Sequence, residues 1–293
     1  MFDAVTRVSV LPVWTGPVDP KPMTGVINRS YYVEDAGQGY VVRFGRDYPQ
    51  HHVIRSREVM VANAAYAAGF STEIVYSGPG VTVGRYIQGR TLTSETVQTN
   101  IERIVARLRA FHAEMPRYVS GGAFMFWPFH TIRDYARLLK ADRLDRNGEA
   151  DRWLALANEM EAVQVPLPFV LSHNDLVFTN ILDDGQIWFI DFEYAGFSIP
   201  LFDLTGLAGH AGFDDEQHVR LLTAYFGKEP DASLQRAYDG LLCIALLREV
   251  LWATVSDIHV DISDMDFPAY AERYRQRFEA ALDRYRARYG PAP

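Results

Sequence analysis

Cysteine is almost missing from this chain: Cys243 stands alone among 293 residues. With no second thiol, a disulfide framework within the chain is excluded, and a reducing compartment fits. Long apolar runs are missing too. None reaches the roughly 18 residues that a membrane span needs, so no membrane insertion is expected. The start, Met1-Phe2-Asp3-Ala4-Val5, has no basic segment followed by a long apolar stretch. No signal peptide is therefore expected, and the expected location is the cytoplasm. Positive charge is in deficit, with 29 Lys and Arg against 37 Asp and Glu, a formal net charge of −8. An acidic surface repels phosphate backbones, so a nucleic-acid partner is not expected. Internal repeats and low-complexity tracts are also lacking.

What is present is ordinary globular composition, 48% hydrophobic and 23% charged. The length suffices for two lobes, each with its own core. Tyr31-Tyr32-Val33 and Tyr40-Val41-Val42-Arg43-Phe44 read as strands joined by a turn at Ala36-Gly37-Gln38-Gly39. Residues 55–68 change period, with Val59, Ala62, Tyr66 and Ala67 on one helical face and Gly69 as C-cap. Short strands follow around Ile74-Val75-Tyr76 and Val81-Thr82-Val83. Beyond Ser94 helices dominate. Val97, Ile101, Ile104, Val105, Leu108 and Phe111 predict one long helix ending near Pro116. Further helices are predicted over 132–142, 149–163 and most of 200–289. Between them, Ile181-Leu182 and Ile187-Trp188-Phe189-Ile190 flank Asp183-Asp184-Gly185-Gln186. Asp-Gly there predicts a two-residue hairpin with positive φ at both central positions. The organisation expected is α+β: a small strand-rich N-lobe, residues 1–87, a linker near 84–89, and a larger helical C-lobe, residues 88–293.

Chemistry concentrates in His173-Asn174-Asp175-Leu176-Val177-Phe178-Thr179-Asn180, followed by Phe189-Ile190-Asp191-Phe192-Glu193-Tyr194. Phosphoryl transfer needs one carboxylate to accept the hydrogen bond of an attacking hydroxyl. It also needs an amide oxygen and a second carboxylate to hold Mg2+ against phosphates. Asp175 fits the base, and Asn180 and Asp191 fit the metal ligands, because a tight hairpin can bring the last two to one end of paired strands. Singly, each residue reads as a turn cap or a strand end. The joint spacing with its apolar flanks is what points to chemistry.

This stretch resembles the catalytic-loop motif of aminoglycoside phosphotransferases and, more closely, the choline/ethanolamine kinase family. Asp191-Phe192-Glu193-Tyr194-Ala195-Gly196, with Pro200 and Phe202-Asp203-Leu204 after it, looks like the choline-kinase branch. The likeness continues in Thr24-Gly25-Val26-Ile27-Asn28-Arg29-Ser30-Tyr31, in Leu247-Arg248-Glu249-Val250-Leu251-Trp252 and in Asp266-Phe267-Pro268-Ala269-Tyr270. The resemblance implies a protein-kinase-like fold, ATP and Mg2+ as cofactors, and a small-molecule acceptor; a homodimer is compatible with it. It implies nucleotide-binding roles for Asn28, for Arg43 where protein kinases place a lysine, for its partner Glu58, and for Arg85 and Tyr86 in a hinge. It makes His173 and Asp203 structural supports of the loop.

For the acceptor, the family grips a quaternary ammonium with aromatic faces. Tyr194, His210, Trp252, Phe267 and Tyr270 are the matching positions. Two departures stand out. His210 occupies the place of a glutamate, and Val255 that of a second tryptophan. Loss of the acid tilts the expectation toward choline over ethanolamine, whose N–H groups would want an acceptor. Alternative readings are a kinase of another alcohol, such as thiamine or an aminoglycoside, and a nucleotide-binding pseudokinase. Intact Asp175, Asn180 and Asp191 argue against the last.

Overall fold

The computed structural model describes residues 4–23, 29–122, 124–142, 145, 148–260 and 265–290. Five strands, β1 (Lys21–Met23), β2 (Arg29–Asp35), β3 (Gln38–Phe44), β4 (Ile74–Gly78) and β5 (Val81–Arg85), form an antiparallel sheet in the order β1-β2-β3-β5-β4. The β2–β3 hairpin turns on Ala36 and Gly37, at φ 49° and 76°. Positive φ at both central residues matches the twist of the flanking strands. A short helix α1 (Ala4–Ser9) lies with this sheet. Its Val8 joins Tyr31, Val33, Val42, Val81 and Val83 in a small separate core.

Helix α2 (Arg55–Ala67) connects β3 to β4 but does not belong to that core. Val61, Ala62, Ala64 and Ala65 are buried in the large core of the second lobe, whereas Tyr66, expected on the inner face, is 48% exposed. Phe70, just past the helix, meets Phe111 edge-on at 5.4 Å, and its carbonyl accepts from the Phe189 N–H.

The second lobe opens with β6 (Arg90–Thr91), α3 (Ser94–Thr99) and α4 (Ile101–Glu114). These two helices replace the single long one that the periodicity predicts. Asn100 ends one and starts the other at φ −124° and ψ 31°, with its side-chain amide donating to Thr96 O. Asparagine competes with helical bonding in this way. Val97 and Ile101 are buried nonetheless. Then follow α5 (Pro128–Ala141), α6 (Glu149–Ala162), β7 (Val170–Ser172), β8 (Ile181–Asp183), β9 (Ile187–Phe189) and β10 (Gly196–Ser198). Four helices complete the lobe: α7 (Pro200–Ala211), α8 (Asp215–Phe226), α9 (Ala232–His259) and α10 (Phe267–Tyr289).

The β8–β9 turn differs from expectation. Asp183 pairs with Ile187, so three residues form the loop, and only Gly185 among them has positive φ. The Asp183 and Asp184 carboxylates accept from the Gly185 and Gln186 N–H groups, which replaces the two-residue turn. Between the lobes the chain passes Gly89, where a Cβ would come within 3.2 Å of the Asp183 backbone. A side chain there would have to push the Asp183 backbone aside by a few tenths of an ångström.

Candidate active site

Strand β7 delivers the chain into His173-Asn174-Asp175. Asp203, in the first turn of α7, holds this loop from below. Its two carboxylate oxygens accept from the His173 and Asn174 N–H groups at 2.8 and 2.7 Å, and His112 Nε2 lies 2.8 Å from Oδ2. Burial raises the Asp203 carboxyl, but His112 and the loop around His173 outweigh it and leave it below the usual range. Asn174 takes φ 62°, and its amide donates to Tyr194 O and Gly196 O, both at 3.1 Å. Neither Asn174 nor His112 was singled out by the sequence, yet together they fix the backbone that presents Asp175.

His173 Nε2 donates to Ile190 O at 2.8 Å, and the Ile190 N–H donates to Asn180 O at 3.0 Å. Asn180 and Asp191 thus meet at one end of the β8–β9 hairpin. The Asn180 amide nitrogen donates to Asp175 O at 3.0 Å and faces Asp175 Oδ2 at 3.4 Å, while its Oδ1 takes no hydrogen bond among the described residues. Asp191 adopts φ 67°, a conformation that costs a non-glycine residue roughly 1–3 kcal/mol. Among the described residues only its Oδ1 is engaged, by Arg43 Nη2 at 2.8 Å. Two hard oxygen donors, Asn180 Oδ1 and Asp191 Oδ2, therefore remain for a cation, a donor set that suits Mg2+.

Arg43 also reaches Glu58 at 3.0 Å, and Arg55 joins Glu58 at 2.6 Å to Glu193 at 2.9 Å. Two guanidiniums are thus shared by three acids. Burial raises Asp191, but Arg43, assisted by Arg55, brings it below the ordinary carboxylate range. Glu193, the most enclosed of the three, goes the other way. Burial first and the Asp191 charge second push it up to about 7, against the pull of Arg55. Arg55 was not foreseen. Its only sequence signal is its place three residues before Glu58.

On the far side of Asp175, α9 contributes Arg248 and Glu249, two charges inside a helix stretch that is otherwise apolar and buried. Arg248 Nη1 bridges Asp175 Oδ1 at 3.0 Å and Glu249 Oε1 at 2.6 Å. Its guanidinium covers a face of the Tyr194 ring at 4.4 Å. Nε and Nη2 of Arg248 are buried and have no hydrogen-bond partner among the described residues. Enclosure raises Asp175 above its usual range, opposed by Arg248 and reinforced by Glu249.

The expected acceptor residues are brought together, but in two groups. Trp252 donates to Tyr194 Oη at 3.0 Å and meets Phe267 and Tyr270 edge-on at 5.9 and 5.5 Å, so these four form one aromatic cluster, buried except at Tyr270. His210 lies apart, with Nδ1 at 2.5 Å from Tyr274 Oη and Nε2 at 3.8 Å from Glu249. Burial lowers the His210 pKa. A carboxylate stands beside this cluster on α9: Glu249 accepts from Tyr270 Oη at 2.7 Å. A pocket open to solvent lies between α7, α9 and α10 and is lined by Asp175, His210, Arg248, Glu249 and Tyr274 among others.

At the opposite side of the cleft, Arg85 turns its side chain onto Glu73 at 2.7 Å and Gln38 at 3.2 Å. The Arg85 and Tyr86 N–H groups donate to Glu73 O and Gly39 O, both at 2.9 Å. Those two amides are therefore already bonded within the protein. Asn28 and the Gly25 loop lie outside the described residues.

Residues 21–239 match the phosphotransferase enzyme family. Protein LicA of Haemophilus influenzae is 26% identical over 239 residues, covering 78% of this chain and 69% of that protein. Ethanolamine kinase 2 of Mus musculus is 26% identical over 294 residues, covering 87% and 74%. Among solved structures, a choline/ethanolamine kinase family protein from Mesorhizobium loti superposes with a TM-score of 0.73 at 28% identity, over 96% of this chain and 94% of that one. The two-lobed, protein-kinase-like α+β fold expected from the sequence is the fold of this chain.

Proposed function

Since the chain belongs to the phosphotransferase enzyme family, we propose that it is an ATP- and Mg2+-dependent kinase acting on the hydroxyl of a small amino alcohol, choline first and ethanolamine second. The observation that carries this reading is that Asp175 and Glu249 line one cavity. One carboxylate can receive the hydroxyl proton while the other faces the cationic nitrogen.

In this reading Asp175 accepts the proton as the acceptor oxygen bonds to the γ-phosphorus. The bond from that phosphorus to the β,γ-bridging oxygen breaks, and ADP leaves. Its raised affinity for a proton favours the transfer. Arg43, kept in place by Glu58, provides positive charge beside the phosphates. Asn180 and Asp191 would hold Mg2+, which when bound neutralises phosphate charge. Residues 1–87 would serve the nucleotide and residues 88–293 the loop and acceptor. The aromatic residues around Glu249 favour a methylated ammonium, which has no N–H to donate and is held by π-faces. Tyr270 donates to Glu249 and stacks on Tyr274 at 4.6 Å. The proposed location is the cytoplasm, in keeping with the single, buried thiol of Cys243. Among the described residues no helix is long and apolar enough to cross a membrane.

The test is ADP release with choline, ethanolamine, thiamine and kanamycin as acceptors. Choline should give the highest kcat/KM, and Glu249→Gln should raise its KM about tenfold or more. Equal turnover of all four, or a preference for kanamycin, overturns the acceptor assignment.

A further inference from the structure

Away from the proposed catalytic groups, three metal-ligating side chains converge from two elements. His130 and Asp134 occupy one face of α5, four positions apart, and His52 comes from the turn between β3 and α2. His52 Nε2 lies 2.9 Å from Asp134 Oδ2, and His130 Nε2 lies 3.1 Å from the same oxygen. All three donor atoms fall within 4.8 Å of one another. Around a tetrahedral zinc with bonds of about 2.0–2.1 Å, neighbouring donor atoms are roughly 3.3 Å apart. The two distances to Asp134 already approach that edge, and the third needs to contract by no more than about 1.5 Å.

The surroundings support ligation. His52 is held at φ 61° by the cap of the preceding turn, His52 N–H to Pro49 O. The two imidazoles stack with centroids 5.9 Å apart and planes 20° apart, which brings both Nε2 atoms to one side. Arg137 bonds the other oxygen of Asp134, so the carboxylate has the outer partner that ligating carboxylates commonly have. His130 is 58% exposed, which leaves a fourth position open to water.

We propose that His52, His130 and Asp134 bind one divalent ion of the zinc class, with solvent as fourth ligand. Imidazole nitrogens select such an ion over Mg2+, which prefers oxygen. The ion would tie the turn before α2 to α5. Each tied residue has a neighbour at the acceptor side: His51 bonds Tyr135 at 3.0 Å and lies 6.0 Å from the Trp252 ring. The site is thus a clamp on the outer wall of the Trp252 cluster.

The experiment uses the full chain without an affinity tag, stripped with a chelator and kept in excess Mg2+ to mask oxygen-rich sites. Zn2+ is titrated by calorimetry, and Co2+ by its ligand-field absorption. One equivalent should bind, with the intensity of a four- or five-coordinate Co2+ centre. His130→Ala and His52→Ala should each weaken it by at least about tenfold. His259→Ala, which removes a different His–Asp pair, should not change it. Binding that survives His130→Ala, or a wild type that takes up no Zn2+ at high micromolar concentration, overturns the proposal.

Discussion

Two buried charge networks flank the catalytic loop, and they are finished to different degrees. In the first, Arg43 and Arg55 are shared among Glu58, Glu193 and Asp191, and Arg43 uses both terminal nitrogens on acids. In the second, Arg248 serves Asp175 and Glu249 through one nitrogen, and two further nitrogens are buried without partners among the described residues. Burying an incompletely bonded guanidinium costs free energy that a completed network does not. The first network bonds Arg43 through both terminal nitrogens while leaving Asp191 Oδ2 toward the proposed metal position, and the second is held short of completion beside the acceptor pocket.

The largest expected effect separates the two centres by chemistry. Asp175→Asn should lower kcat by about 10²–10⁴ while leaving ATP binding nearly intact. Asp191→Ala should instead shift the magnesium dependence as well as the rate. Retention by Asp175→Asn of more than about a tenth of kcat would break the assignment of the base. Next comes stability. Arg248→Met leaves the buried Glu249 and the partly buried Asp175 without their shared cation, and urea unfolding should show a loss of about 3 kcal/mol. Arg43→Met should cost less, because Asp191 is 27% exposed and Glu58 keeps Arg55. If Arg43→Met proves the more damaging, the contrast between the networks is wrong.

A third effect is a pH dependence that Glu193 brings to the first network. The native Glu193 carboxyl titrates at about 7 against 4.5 for the ordinary group. Between those values the native protein keeps a proton that the unfolded chain has lost. Stability should therefore fall as pH rises through that window, by up to about 3 kcal/mol. Glu193→Gln should flatten the profile, and an unchanged slope in that variant assigns the proton elsewhere. The smallest effect marks the surface baseline. Arg103 pairs with Asp183 at 2.5 Å but is 41% exposed. Arg103→Ala should shift unfolding by less than about 1 kcal/mol, and a larger loss would mean that burial is not what distinguishes the networks.

The candidate catalytic loop was legible in the sequence because its parts are contiguous: His173 to Asp191 carry their spacing in one stretch. The arginines are a different matter. Arg55 meets Glu193 across 138 positions and Arg248 meets Asp175 across 73, and no local periodicity encodes such pairs. The adjacent charges Arg248-Glu249 inside an apolar helix were a usable signal, since buried charges are rarely left without partners. Helix spans followed from the 3.6 period, but the break at Asn100 did not. Val97 and Ile101 keep the same phase whether the helix continues or restarts. Strands β1, β6 and β10, two or three residues each, are too short for alternation to register.

Helix α2 belongs to the core of the larger lobe, and this bears on control. In protein kinases the ion pair between the strand cation and the helix acid must be in place, and helix position governs it. A switch of that kind needs a second resting place for the helix. Here departure would strip Val61, Ala65 and Phe70 from a dry core, at about 1.5–3 kcal/mol for each large side chain. The buried helix thus holds Glu58 beside Arg43. A helix rooted in this way would make a costly switch.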